Sequence, residues 1–257
     1  MGFVIETQGL GKTYGRFGAI SSIDLHVPDR SVYALMGASG AGKTTTIKIL
    51  LNMLAPSRGT ASVLGVDSRS LDPAMLSQIG YVSENQSMPA RLRVGDFFDY
   101  LRPCYPTWDA ALERELRAQL RLPAGRRIGE LSHGMRLKMA LACALPFKPR
   151  LLVLDEPLSG LDALARDEII GGFLRQAGAM TILISSHELD EVQRFATHVA
   201  FLHEGRLLFE GPVDALQEYA SPLFAAGGSA ARRPLRDIFV AMVRAARDGH
   251  IGGDRPT

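Results

Sequence analysis

Cysteine is nearly missing from this chain: its 257 residues include only Cys104 and Cys143. The two lie far apart with no His at ligand spacing, which excludes a disulfide scaffold and a zinc site and points to a reduced compartment. No apolar run approaches the ~18 residues that a membrane span requires. The N-terminus MGFVIETQGLGKTYG lacks the basic-then-apolar layout of a secretory leader. Glu6 also stands where N-myristoylation needs Ser or Thr. Excess charge of one sign is lacking as well, since 29 basic and 27 acidic residues leave a net charge of +2. Nucleic acid is therefore not an expected partner, because it calls for a concentrated basic face. Internal repeats and heptad arrays are absent too. What remains is ordinary globular composition, 46% hydrophobic and 22% charged. The length suits one large domain or a core with a subdomain.

Turn signals divide the chain into an α/β pattern. FVIE, SIDLHV and SVYALM read as strands, separated by GKTYGRFG and VPDR. SVYALM runs straight into GASGAGKTT and then the apolar helix TIKILLNML, which ends at Pro56. IGYVSE is a further strand at 79–84. From about 88 to 148 the pattern becomes helical, in VGDFFDYL, DAALERELRAQL and MRLKMALACAL. RLLVLDE returns as a strand whose continuous apolar run suits a parallel sheet covered on both faces. A helix is expected at 162–177, then the strand MTILISS, the helix HELDEVQRF and the strand THVAFL. EGRLLFEG and PVDALQEY follow as strand and helix. AAGGSAARR reads as a linker to a last helix, where Leu235, Ile238, Phe239, Met242, Val243 and Ala246 share one face. That helix either folds back on its own domain or helps dimer contacts. The expected divisions are an α/β core at 1–87 and 149–222, a helical insert at 88–148, and a linker with C-terminal helix at 223–257.

GASGAGKT, Gly37 to Thr44, fits G-x-x-x-x-G-K-[ST] at every fixed position and lies between a strand and a helix, the context a phosphate loop needs. Its glycines let backbone N–H groups turn toward phosphate oxygens. Gly37, Ala38, Ser39, Gly40, Ala41, Gly42, Lys43, Thr44 and Thr45 are thus the expected phosphate-binding residues. Lys43 reaches the β and γ phosphates, and the Thr44 hydroxyl takes a place on Mg²⁺. The helix N-terminus favours the same anions. LLVLDEP adds Asp155, a second group on the metal side. Beside it, Glu156 has no structural reason to follow a buried strand and suits the polarisation of an attacking water. His187, at the end of MTILISS, should lie at the same sheet edge, where it could bond the γ phosphate and hold that water in line. The other five His residues read as structural. Ser132 in LSHGMR reads as an ordinary helix N-cap.

KTYG, GASGAGKTT, LSHGM, LLVLDEP, SGLD and SSH, in this order, resemble the ATP-binding subunits of ABC transporters, over residues 3 to 220. The resemblance implies a P-loop NTPase core with a parallel sheet, an N-terminal antiparallel β part and an inserted helical subdomain. It implies two ATPase subunits, a homodimer or a related pair, closing head to tail on ATP and Mg²⁺. Ser132 and Gly134 would grip the γ phosphate of the partner's nucleotide with a hydroxyl, N–H groups and a helix N-terminus. By the same resemblance, Tyr14 would stack on adenine and Asp162 would cross the dimer to couple the sites. A separate multi-span permease is implied, with this chain peripheral on the cytoplasmic face of a bacterial membrane. YPTWD, the LSHGMR variant and the LRDIFV tail are similar to a bacterial exporter subgroup with one ATPase domain per chain.

Three positions depart from the family pattern. His133 and Met135 replace a glycine and the glutamine of the common LSGGQ, while Ser132 and Gly134 are kept. By the resemblance Glu84 joins Thr44 and Asp155 on the metal side, but it stands where the family usually has Gln, with Gln86 two residues later, so how this loop meets the metal and signals to the transporter is open. Ala163 follows Asp162 where Pro is frequent. A ribosome-acting ATPase of this type would usually carry two such domains, and only one phosphate loop is present. A chromosome-structuring ATPase would need a coiled coil between phosphate loop and signature. No N-K-x-D motif supports a GTPase.

Overall fold

The structure, a computed structural model, describes residues 2–84, 86–161, 166–171, 179–224 and 233–248. Its strands fall into two groups. The antiparallel group comprises β1 (Phe3–Tyr14), β2 (Phe17–Ile23), β3 (His26–Pro28), β5 (Arg58–Val63) and β6 (Val66–Asp67). The parallel group comprises β4 (Val32–Met36), β7 (Ile79–Ser83), β8 (Leu151–Asp155), β9 (Thr181–Ser186) and β10 (His198–His203). β11 (Arg206–Pro212) runs antiparallel to β10 and touches β2, so the groups join in the order β6-β5-β1-β2-β11-β10-β4-β9-β8-β7, with β3 on β1. The described helices are α1 (Lys43–Leu50), α2 (Pro73–Leu76), α3 (Val94–Leu101), α4 (Ala110–Gln119), α5 (His133–Ala144), α6 (Leu189–Val192), α7 (Val213–Ala220) and α8 (Leu235–Arg247). A short helical stretch also occupies 166–171. Among the described residues no helix is long and apolar enough to cross a membrane.

Every residue of β4, β8 and β9 is buried, because helices cover both faces of the central sheet. Alternation along each strand divides the core in two. Val32, Ala34 and Met36 face the side that holds Leu137 and Leu141 of α5, whereas Tyr33 and Leu35 face Ile47 and Leu50 of α1. A third apolar cluster, including Val94, Phe98, Leu116 and Met139, lies within the helical region between β7 and β8. Beside it the buried Glu113 carboxylate accepts from Arg102 (2.9 Å), Arg117 (3.0 Å) and the Trp108 indole (2.9 Å).

The strand register positions the site. Met36 pairs with Ser186, Asp155 with Ser185, and Ser83 with Asp155. Four parallel strands therefore end level, and Gly37, Glu84, Glu156 and His187 each follow at one edge.

Some local expectations shift. SIDLHV is two strands, broken where Asp24 accepts a hydrogen bond from Gly9 N (2.5 Å). GKTYGRFG is not simply a turn: β1 continues to Tyr14, and the turn is only Gly15 and Arg16. β5 and β6 carry no clear apolar alternation and were not anticipated. Only α6, four residues, forms within HELDEVQRF. Of the helix expected at 162–177, residues 162–165 and 172–177 lie outside the described residues. α8 folds back on its own chain. Leu235, Ile238 and Met242 are fully buried, and Gln193 Oε1 accepts from Leu235 N at 2.9 Å.

Candidate functional site

β4 delivers the chain into Gly37 with all its residues buried, and the loop then emerges at exposed Ala38, Ser39 and Gly40 before Ala41 returns inward. Two glycines are needed for steric reasons. A Cβ on Gly37 would come within 2.3 Å of Leu202 O. Gly42 has φ +108°, and its Cβ would meet Ala19 O at 2.8 Å. Gly42 is also the residue before α1, so the helix N-terminus opens beneath the loop. Thr45 lies half-buried in the first turn.

Lys43 is almost wholly buried, and its Nζ donates to Gly37 O (2.6 Å) and Ala38 O (3.1 Å). The same nitrogen is 2.9 Å from Glu156 Oε1. The other Glu156 oxygen lies 2.8 Å from His187 Nδ1. Thr44 Oγ1 donates to Asp155 Oδ1 at 3.1 Å, and Ser185 Oγ donates to that oxygen at 2.6 Å. Burial pushes the Tyr81 phenol above its ordinary value, and the nearby Asp155 charge adds to the shift. Lys43, Thr44, Asp155, Glu156 and His187 thus form one connected polar cluster. It joins a cation, a hydroxyl, two carboxylates and an imidazole around a glycine loop, a set able to bind phosphate and activate water.

Glu156 has φ +52°, a left-handed backbone that non-glycine residues adopt only when their surroundings enforce it. Ser185 supplies much of that enforcement, accepting from Glu156 N through its Oγ (3.0 Å) and its carbonyl (3.2 Å). Ser185 was not singled out from the sequence. The available signal was two hydroxyls closing an otherwise apolar strand.

Comparison with known proteins agrees with this arrangement. The ABC transporter family model matches residues 20–159. The bacitracin transport ATP-binding protein BcrA of Enterococcus faecalis is 32% identical over 222 residues, covering 85% of this chain and 72% of that protein. The chain belongs to the ABC transporter family. The daunorubicin/doxorubicin resistance ATP-binding protein DrrA of Streptomyces peucetius is 33% identical over 226 residues, covering 83% of this chain and 66% of its own. A solved ATP-binding subunit of an ABC transporter superposes with TM-score 0.82 at 26% identity, covering 93% of this chain and 99% of that one. As an ABC transporter ATP-binding subunit, the chain binds and hydrolyses ATP to power a membrane transporter, on the expected α/β fold.

Ser132 caps α5, its Oγ accepting from Met135 N at 3.3 Å, and Gly134 lies in the first turn of that helix. Tyr14 is 48% exposed at the end of β1, with Lys12 Nζ 5.3 Å from its ring centroid. It pairs with Phe17 of β2, the strand that brings Ala19 beside Gly42. Glu84 N donates to Asp155 O at 3.0 Å, and the Glu84 carboxylate accepts from Ser159 Oγ at 2.9 Å. Asp162 lies outside the described residues.

Proposed function

We propose that this chain powers a bacterial exporter through ATP-driven head-to-tail closure of two such subunits, bound to a separate permease at the cytoplasmic face of the membrane. One observation carries the catalytic part of the reading. At the level ends of four parallel strands Lys43 and His187 both contact Glu156, Thr44 contacts Asp155, and Ser185 links the two groups. Export is the direction favoured by two relatives, BcrA, a bacitracin transport ATP-binding protein, and DrrA, a daunorubicin/doxorubicin resistance ATP-binding protein.

Among the described residues no three His, Cys, Asp or Glu side chains are arranged as a metal cage. Mg²⁺ suits such a place, since it takes one or two protein oxygens and otherwise phosphate and water. Thr44 Oγ1 and Asp155, already hydrogen-bonded to each other, would hold it. There it would supply charge neutralisation across the phosphates. Lys43 exchanges its contact with Glu156 for phosphate oxygens. Glu156 then accepts a proton from the attacking water, and His187 orients that water against the γ phosphate. Tyr14, 48% exposed, stacks on adenine. Ser132 and Gly134 of one subunit present the start of α5 to the partner's γ phosphate.

A mixing experiment tests closure in trans. Lys43→Ala and Gly134→Asp should each inactivate a homodimer, the second by setting a carboxylate against phosphate. In a mixed dimer one site combines both lesions, while the other joins an intact loop to an intact LSHGM. The mixture should recover a nucleotide-dependent dimer by size exclusion. No recovery despite proven subunit exchange would reject the trans grip.

A further inference from the structure

Two of the positions at which this chain departs from its family pattern, His133 and Glu84, meet on a single residue. Ser159 lies in the turn just after Glu156, and each of its polar groups is used. Its N–H donates to Glu156 O (3.3 Å), its hydroxyl donates to Glu84 Oε1 (2.9 Å), and its carbonyl lies 3.2 Å from His133 Nε2. A carbonyl can only accept, so the imidazole carries its proton on Nε2 in this contact. Gly160, the next residue, has φ +67°, and a Cβ there would meet His133 Nε2 at 3.7 Å. The ring therefore packs against the turn as well as bonding to it. At its other end the turn begins with the left-handed Glu156.

We propose that His133 and Glu84 are positioning residues that act through Ser159 to hold the turn carrying Glu156 in register with the attacking water. This rests on the reading of Glu156 as the general base. The glycine of the common pattern could not form the same link, and its glutamine would offer Ser159 only a neutral acceptor. Glycine has no side chain to reach Ser159, so His133 adds a tie between the start of α5 and the turn within one chain. Glu84 supplies a charged acceptor to the Ser159 hydroxyl, and charge-assisted hydrogen bonds are the stronger kind. Its own N–H is tied to Asp155 O, so one residue braces both Asp155 and the turn beyond it. A non-glycine residue at positive φ persists only while its neighbours over-determine it. Loosening either tie lets the Glu156 carboxylate drift from its aligned position while the phosphate loop is untouched.

Steady-state hydrolysis of Mg-ATP by the full chain tests this, with nucleotide affinity measured separately using a fluorescent ATP analogue. His133→Ala and Glu84→Ala should each lower kcat about three- to tenfold, the range of one net hydrogen bond, with affinity changed less than about twofold. His133→Gln keeps an N–H at the same bond count from Cα, and Glu84→Gln keeps an acceptor. His133→Gln should stay within about twofold of the parent kcat, and Glu84→Gln, a neutral acceptor, should fall between the parent and Glu84→Ala. The double variant His133→Ala/Glu84→Ala should fall well short of the product of the single losses, because both ties serve one turn. Full multiplication, loss of affinity in place of kcat, or failure of the Gln variants to rescue would each overturn the proposal. Thermal melts that match the parent show that the losses are not losses of fold, and the Gln variants carry the test if the Ala variants melt low. Glu156→Gln is run alongside. If it hydrolyses normally, the base assignment fails. If it is inactive while His133→Ala and Glu84→Ala match the parent, the positioning role alone fails.

Discussion

Replacing Glu156 by Gln should do two opposite things: tighten nucleotide binding and abolish turnover. The first follows from the contact of Lys43 Nζ with Glu156 Oε1 at 2.9 Å, where the side chains are 5% and 18% exposed. Phosphate must draw Lys43 out of that contact. Hydrogen bonds that involve a charged group contribute about 1.5–3 kcal/mol, an ammonium on a carboxylate toward the upper end and an ammonium on a neutral amide toward the lower. Gln keeps an amide oxygen, so only the difference, about 1 kcal/mol, is relieved, which corresponds to roughly fivefold tighter binding. Lys43 still donates to Gly37 O and Ala38 O, so the loop keeps its internal support. The second effect follows because an amide cannot accept the water's proton, and general-base catalysis contributes about 10²- to 10⁴-fold. Titration with a fluorescent non-hydrolysable ATP analogue reads the first effect, and phosphate release reads the second. Equal or weaker affinity would refute the view that nucleotide displaces a Lys43–Glu156 pair. Near-normal phosphate release would remove Glu156 as the base.

Glu113→Gln should cost about 2 kcal/mol in denaturant melts followed by Trp108, the single tryptophan; this is below the 3–5 kcal/mol of a fully buried pair because Arg102, at 41% exposed, can turn to water. No loss would show that the Glu113 cluster does not hold the helical region together. The pH dependence of the parent follows the same group. Burial raises the Glu113 carboxyl, but Arg102, Trp108 and Arg117 outweigh it and hold the group below its ordinary 4.5. Its contribution is therefore full above that value and lost as pH falls through the depressed one, and Glu113→Gln should flatten the acid side of the stability curve. Met242→Ala, at a fully buried position of α8, should destabilise the chain by about 2–5 kcal/mol in the same melts. A loss under about 0.5 kcal/mol would show that α8 is not part of the core.

The parallel half of the fold was readable because burial on both faces leaves a continuous apolar run, as in LLVLD and VYALM. The antiparallel half was harder. RGTASV in β5 alternates weakly and has three exposed residues at its start, so its strand character comes from pairing with β1. β1 runs through glycines that looked like turn signals, because Gly9 takes φ +58° and Gly11 packs against Arg58 without leaving the sheet. The choice between two places for the C-terminal helix could not be made from its stripe alone. The stripe shows that the helix must bury one face, whereas the partner surface comes from α6 and α7, which the stripe itself does not name.

The site divides along a similar line. Residues whose chemistry a ligand would use, such as Lys43, Thr44, Asp155 and Glu156, carry their signal in type and spacing, because phosphate and metal recognition restrict both. Residues that hold those groups carry almost none. Ser185 and Ser159 are serines in ordinary sequence context, and their roles depend on where β7, β8 and β9 end relative to one another. Once Asp155 pairs with Ser185, the serine hydroxyl has to fall beside the carboxylate, since paired residues share a face of the sheet. The left-handed turn at Glu156 then brings Ser159 back toward Glu84, the residue after the neighbouring strand. Register therefore converts two unremarkable hydroxyls into the supports of a catalytic edge. The same logic applies to LSHGMR: Ser132 caps its own helix in this chain, and under the proposed closure in trans that cap would fix the direction in which the helix start faces a partner's phosphate.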